Sequence, residues 1–219
     1  MKSTGIPNLY EEGNSLYTLT KFEKPVYGER ILIRNSKMYR EFSPLRSKLA
    51  SSIKLGFKPE LREEDHMLYL GASTGTTASH ISDILSKGVI FAVEFSPVSM
   101  IKLSELGKSR ENLIPLLLDA NKPGQYEPFI DWVDMIYQDI AQPNQIDIFL
   151  KNVKYYSPKR GIIMYKSYSM RSDTELKNEI NKLKKYFKNI SMKNIERFHK
   201  GHYAIYVSTT KQSTLFSYW

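Results

Sequence analysis

Four short apolar runs of this chain end in residues that could bind or react. Residues 67–70 lead into Gly71-Ala72-Ser73-Thr74-Gly75-Thr76-Thr77, and residues 89–93 into Glu94-Phe95. Residues 113–118 lead into Asp119-Ala120, and residues 133–137 into the stretch with Asp139-Ile140-Ala141-Gln142. Small residues at 71–75 let a ligand approach the backbone, while Thr76 and Thr77 offer hydroxyls and N–H groups at the start of a helix. A carboxylate at 94, about 20 positions beyond the glycine turn, can accept both hydrogen bonds of a ribose diol. Asp119 can accept from an adenine amino group. Singly, each acid reads equally well as a turn or a helix cap. Jointly they describe a nucleoside site that does not neutralise phosphates. The Gly71…Gly75 spacing is neither GxGxxG nor GxxxxGK[ST]. An acidic pocket repels pyrophosphate and attracts a sulfonium, so S-adenosylmethionine fits it better than NAD.

Such side chains need a scaffold that brings strand ends together. A fifth run, 161–165, ends in Lys166, and helix-compatible stretches at 76–87, 98–110, 144–156 and 173–187 separate or follow the runs. Apolar segments of strand length alternating with helices predict a parallel sheet covered on both faces. Its ligands then bind beyond the carboxyl ends of the strands, near the reversal of strand order. Residues 190–197 and 202–208 have no long helix between them and predict an antiparallel edge hairpin. Upstream, residues 14–34 with a Pro25…Gly28 break predict short antiparallel strands. Residues 43–56 predict a helix opening on Ser43-Pro44, apolar at Leu45, Leu49 and Ile53 and ended by Gly56. No internal repeat or low-complexity segment interrupts the chain.

The 219 residues suit one domain with a small appendage, and 41% hydrophobic residues suffice for a core. The absence of cysteine excludes disulfides, thiolate zinc sites and a Cys nucleophile, and no metal site is expected. Apolar runs of about 6 residues fall far short of a membrane span, and the N-terminus lacks a signal-peptide pattern. A soluble, cytoplasmic protein without membrane association is therefore expected. The net charge of +9 is unevenly spread: residues 1–20 carry −1, 21–62 +7, 63–149 −8 and 150–219 +11. An acidic middle between basic flanks predicts a small organic ligand in the centre and a polyanion across the flanks, nucleic acid foremost. Lysines 182, 184, 185 and 188 read equally well as a solvated helix face.

Several segments together resemble one family. Ser43-Pro44-Leu45-Arg46-Ser47-Lys48-Leu49-Ala50 is similar to NP(F/Y)RSKLA, and residues 68–77 (LYLGASTGTT) to LYLGAASGTT. Val93-Glu94-Phe95-Ser96 is similar to VEFS, and Asp139-Ile140-Ala141-Gln142-Pro143-Asn144-Gln145 to DVAQPDQ. These motifs, in this order over nearly the whole chain, resemble those of fibrillarin, the RNA 2′-O-methyltransferase of box C/D ribonucleoprotein particles. Without a Gly/Arg-rich tail the chain looks like the short archaeal form. The resemblance implies a Rossmann-like class I S-adenosylmethionine methyltransferase sheet of seven strands, the last antiparallel. It also implies a small N-terminal β domain, taken with its linking helix as residues 1–56, ahead of a methyltransferase domain at 57–219.

The same resemblance implies that Thr76, Thr77, Glu94, Phe95, Asp119, Ala120, Asp139, Ile140, Ala141 and Gln142 line the cofactor site, beside Gly71, Ala72 and Gly75. It places catalytic roles on Lys48, Asp139, Lys166 and His202. It further implies a box C/D guide RNA with rRNA or tRNA targets, a Nop-domain scaffold protein and a kink-turn-binding ribosomal-type protein as partners. The chain departs from the family pattern at Phe42, usually Trp, at Tyr165-Lys166-Ser167, and at Gly201, where Asp usually precedes the histidine. His199 therefore competes with His202, which is preferred because residues 204–207 continue its strand in register. A ribose hydroxyl is a poor nucleophile and must be aligned and relieved of its proton. Lys166 beside Asp139 is expected to hold it, with Lys48 adding positive potential. Tyr168 or Tyr203 could stack on RNA. Three other readings remain open from sequence: a non-catalytic ribonucleoprotein scaffold, which would not bind S-adenosylmethionine; a nicotinamide dehydrogenase, disfavoured by the glycine spacing; and a methyltransferase acting on protein glutamine.

Overall fold

The computed structural model describes residues 1–167 and 173–210. Five short strands, β1 (Lys2–Ser3), β2 (Leu9–Glu12), β3 (Ser15–Thr20), β4 (Ile31–Arg34) and β5 (Lys37–Glu41), form an antiparallel sheet in the order β1-β2-β3-β5-β4. Asn35 and Ser36, both at positive φ, close the β4–β5 hairpin between paired Arg34 and Lys37. A two-residue loop in that conformation matches the twist of its strands. The expected strands within 14–34 are β3 and β4; β1, β2 and β5 were not anticipated, being short and largely polar at their ends.

Helix α1 (Lys48–Lys54) is shorter than the sequence suggests. Ser43 and Pro44 make a turn instead, with the N–H groups of Arg46 and Ser47 donating to the Ser43 carbonyl. The cap is Ser47, whose hydroxyl accepts from the Ala50 N–H. Leu49 is accordingly buried, whereas Leu45, expected on the apolar stripe, precedes the helix and is 74% exposed.

The remaining chain alternates β6 (His66–Leu70), α2 (Thr76–Ile84), β7 (Val89–Glu94), α3 (Pro97–Ser109), β8 (Leu113–Leu117), β9 (Met135–Gln138), α4 (Gln145–Tyr156), β10 (Arg160–Lys166), α5 (Asp173–Leu183), β11 (Asn189–Asn194) and β12 (His202–Ser208). The strands form one sheet in the order β11-β12-β10-β9-β6-β7-β8. Period-two alternation fills two cores. Met67, Tyr69, Ala92 and Met164 face one side with Ala78 and Ile81 of α2 and Leu103 of α3. Leu68, Leu70, Val93 and Ile163 face the other with Phe149 of α4 and Leu183. Both faces of the central strands β6, β7, β9 and β10 are covered, which is why these strands read as unbroken apolar runs. The final hairpin is antiparallel and adds to one edge of the sheet as expected, with β12 pairing on β10 and β11 outermost. Ile6, Leu9, Phe42 and Leu49 continue the first core, so the N-terminal sheet packs directly on the α2 side.

A buried ionic cluster fastens that junction. Arg40, fully buried, donates from Nε to Glu29 Oε1 at 2.7 Å and from Nη1 to Asp83 Oδ2 at 2.7 Å. Arg110 Nη1 reaches the other Asp83 oxygen at 2.7 Å. Thr18 and Thr20 also donate to Asp83, and His80 Nδ1 lies 2.8 Å from the Thr18 hydroxyl. His80 is stacked on Phe42 with ring centroids 4.2 Å apart. Burial, helped by the charges of Arg40 and Arg110, holds its imidazole well below the usual range and therefore neutral. The Phe42 departure from the family pattern thus serves packing.

Candidate active site

Strand order reverses at β6, which has β7 on one side and β9 on the other. In parallel sheets this is where a cleft opens at the carboxyl ends. The Asp139 N–H donates to the Leu70 carbonyl at 2.9 Å, drawing the ends of β6 and β9 together. Gly71 follows with φ +80°, and a Cβ there would lie 2.7 Å from the Asp139 carbonyl oxygen. Only glycine satisfies both constraints. Gly75, at φ +88°, packs as tightly against α3, where a Cβ would meet Leu106 at 2.5 Å.

A cavity of about 400 Å³ occupies this cleft. It is lined by Gly71, Glu94, Phe95, Asp119 and Ala120, and by Asp139, Ile140, Ala141 and Gln142, nine of the residues singled out from sequence. Three of them are carboxylates, and among the described residues no lysine or arginine lines the cavity. The backbone N–H groups of Ser73 and Ser96 donate to the two Glu94 oxygens, each at 2.7 Å, fixing the carboxylate at the rim. Asp119 Oδ1 accepts from the N–H and the side-chain amide of Asn121 at 2.9 and 3.3 Å. Phe95, 74% exposed, offers an open ring face.

Ala72, Gly75, Thr76 and Thr77 lie off this lining. Ala72 is buried; Thr76 opens α2 and borders a separate cavity of about 1050 Å³ together with Lys21, Lys24, Arg46 and Lys102. The Thr77 hydroxyl donates to the Ser47 hydroxyl at 3.0 Å, tying α2 to the cap of α1. That bond sets the position of Lys48, the next residue. Val93, Ser96, Leu118 and Asn121 also line the cavity and were not anticipated, whereas Ser73 belongs to the small-residue turn at 71–75. The Ser96-Pro97 helix start could have flagged Ser96, since the Ser96 hydroxyl caps α3.

Beside the cavity Lys48 Nζ donates to Asp139 Oδ1 at 2.7 Å and Oδ2 at 3.0 Å. The ion pair of Asp139 is thus with Lys48, where sequence reasoning set Lys166 beside the carboxylate. Lys166 ends β10 directly opposite His202 of β12. The Lys166 N–H and carbonyl both turn to the Gln145 side chain, while the His202 N–H donates to His199 O and its carbonyl accepts from the Ile195 N–H. Lys166 and His202 therefore form a non-hydrogen-bonded pair, the kind in which side chains approach more closely.

The two histidines divide their tasks. A carbonyl can only accept, so His199 Nε2–H donates to Pro44 O at 3.0 Å, fastening the turn before α1. His202 Nδ1–H donates to Lys200 O at 2.8 Å, which leaves Nε2 of the neutral ring as a base. Desolvation lowers the proton affinity of both rings; for His202, Lys48 lowers it further and Asp139 raises it. Both histidines thus sit within electrostatic reach of the Lys48–Asp139 pair. Tyr203 is half-buried, and Tyr168 lies outside the described residues.

The arrangement can hold a cationic nucleoside in an acidic cleft and present an oriented carboxylate, the ammonium paired with it and a neutral imidazole to a second reactant. The sequence profile of the family described as Fibrillarin matches residues 5–211. The "Fibrillarin-like rRNA/tRNA 2′-O-methyltransferase" of Thermoplasma volcanium is 44% identical over 200 residues, covering 90% of each chain. A fibrillarin solved in complex with Nop5p superimposes with a TM-score of 0.83 at 38% identity, covering 92% of this chain and 97% of that one. The Aeropyrum pernix fibrillarin, solved with natively bound S-adenosyl-L-methionine, gives a TM-score of 0.78 at 35% identity over 88% of both chains.

Proposed function

Because the chain belongs to the fibrillarin family, we propose that it is an S-adenosylmethionine-dependent RNA 2′-O-methyltransferase, the catalytic subunit of a box C/D guide RNA particle acting on rRNA and tRNA. The observation that carries this reading is the Lys48–Asp139 ion pair standing at the rim of a carboxylate-lined cleft.

The cleft chemistry fits the cofactor. Glu94 can accept from both ribose hydroxyls while keeping its two backbone donors, Asp119 can accept from the adenine amino group, and Phe95 can stack on the base. When bound, S-adenosylmethionine supplies the electrophilic methyl group. Glu94→Gln replaces one acceptor by an NH₂ that faces a backbone N–H. Its affinity for S-adenosylmethionine is expected to fall about 10- to 100-fold by calorimetry, the equivalent of roughly 1.5–3 kcal/mol for bonds to a charged group.

Asp139, held by Lys48, accepts from the ribose 2′-OH and orients its lone pair. As the oxygen–methyl bond forms and the sulfur–methyl bond breaks, the proton leaves the hydroxyl by way of Asp139, and the neutral His202 Nε2 is a base that can accept it in turn. Lys48 and Lys166 supply positive potential where oxyanion character develops. Lys21, Lys24, Arg46 and Lys102 around the neighbouring cavity suit phosphate contacts, which position RNA without reading its sequence. Target choice accordingly falls to guide RNA held by a Nop-domain scaffold and a kink-turn-binding protein.

Reconstitution with guide RNA, both partner proteins and S-adenosylmethionine tests the assignment. One methylated ribose, moving when the guide is changed, is the expected result. Cofactor binding without methylation of RNA would indicate a scaffold, and methyl transfer to glutamine of a protein acceptor alone would redirect the assignment.

A further inference from the structure

Gln145 joins the two strand ends that carry Asp139 and Lys166, and none of the steps above uses it. Strand β9 ends at Gln138, paired with Ile163, whereas β10 runs on to Lys166. By Lys166 the β9 chain has turned away into the loop at 139–144. Gln145 takes its place. The Lys166 N–H donates to Gln145 Oε1 at 3.0 Å, and Gln145 Nε2 donates to the Lys166 carbonyl at 2.7 Å. A carboxamide carries the same donor and acceptor as a peptide group, so it extends the ladder where backbone has run out.

The link continues past Gln145. Gln138 Nε2 donates to the Gln145 carbonyl at 2.7 Å, so hydrogen bonds run from the residue before Asp139 to the backbone of Lys166. Gln145 is 1% exposed, and bonds so far from water hold geometry well. Pairs alternate along the β10–β12 ladder, Ser167 donating to Gly201, so the Lys166 backbone groups face Gln145 and Lys166 with His202 is a closely approaching pair.

We propose that Gln145 is a positioning residue for methyl transfer: its buried carboxamide clamps the Lys166 backbone and so fixes the end of β10 beside the loop that carries Asp139 and opposite His202. The inference rests on the methyltransferase assignment, and two variants with two readouts test it. In Gln145→Glu the carboxylate can accept the Lys166 N–H but repels the Lys166 carbonyl until it is protonated, which burial favours. Turnover per cofactor-binding molecule is expected to fall about tenfold or more near pH 8.5, since small misplacements of reacting groups are costly. Its ratio to the unsubstituted chain should then climb severalfold toward pH 6 as the proton restores a donor. Gln145→Leu should stay low at every pH, and both variants should bind S-adenosylmethionine within about threefold of the original. Amide hydrogen exchange at Lys166 should be roughly tenfold faster in Gln145→Leu. Turnover of Gln145→Leu within about twofold of the original, a flat Gln145→Glu ratio, or unchanged exchange at Lys166 overturns the proposal. If the unsubstituted chain itself fails to methylate RNA, the functional assignment falls, and the exchange rates still decide whether the clamp exists.

Discussion

Asp139→Asn is expected to lower guide-directed methyl transfer about 100- to 1000-fold at saturating S-adenosylmethionine, the range seen when one preorganised electrostatic contact is removed. Both carboxylate oxygens of Asp139 touch Lys48 Nζ. Asparagine keeps the shape but loses the charge, and its amide turns a donor toward an ammonium that only donates. The lysine, a quarter exposed, then swings toward water, and the 2′-OH loses both the acceptor that orients it and the neighbouring cation. Asp139 also lines the cofactor cavity, so affinity should weaken as well, by roughly tenfold. Single-turnover rates with the cofactor in excess separate the two effects. Lys48→Ala should cost nearly as much, and the double variant little more than either, because the two side chains act as one unit. A rate for Asp139→Asn within threefold of the original would remove the orienting role from the carboxylate.

The parts of this site that sequence reveals are those set by one strand and its immediate sequel. Leu68 and Tyr69 are neighbours in opposite cores, so both are apolar and the strand announces itself. Glu94, Asp119 and Asp139 follow such runs directly, and parallel topology delivers them to a single rim. The pairing of Lys48 with Asp139 spans 91 positions, and its helix starts later than Ser43-Pro44 suggests because the Ser47 hydroxyl supplies the cap. Gln145 reads as an ordinary first residue of a helix until β10 is seen alongside it. Charge arithmetic misleads for the same reason. Part of the +7 of residues 21–62 is Arg40, which lies in the core between Glu29 and Asp83, and part is Lys48, occupied by Asp139.

Arg40→Met is expected to destabilise the fold by about 3–5 kcal/mol, the usual consequence of stranding a buried charge. Arg40 bridges the N-terminal sheet to α2: it pairs with Glu29 and Asp83 and also donates to the Ser79 hydroxyl at 3.0 Å. Methionine fills much of the volume and leaves both carboxylates short of a partner. Asp83 keeps Arg110, Thr18 and Thr20. Glu29 is in the harder position. Burial pushes its proton affinity up, and the N–H groups of Tyr27 and Val26 with the Arg40 charge outweigh that and hold it below the ordinary carboxylate value. Without Arg40 the balance shifts toward protonation, and the loop that Glu29 ties down through Val26 and Tyr27 loosens. In a chain of this size the loss corresponds to a fall of roughly 6–20 °C in melting temperature. Adding Glu29→Gln to Arg40→Met removes one stranded charge and should recover part of the loss, whereas Glu29→Gln alone should destabilise. This reversal of sign distinguishes a buried ion pair from simple packing, under which the two substitutions would add. Because Lys48 reaches Asp139 from a helix whose cap is bonded to Thr77 of α2, loosening this junction should also lower turnover below the melting transition, with cofactor affinity changed less.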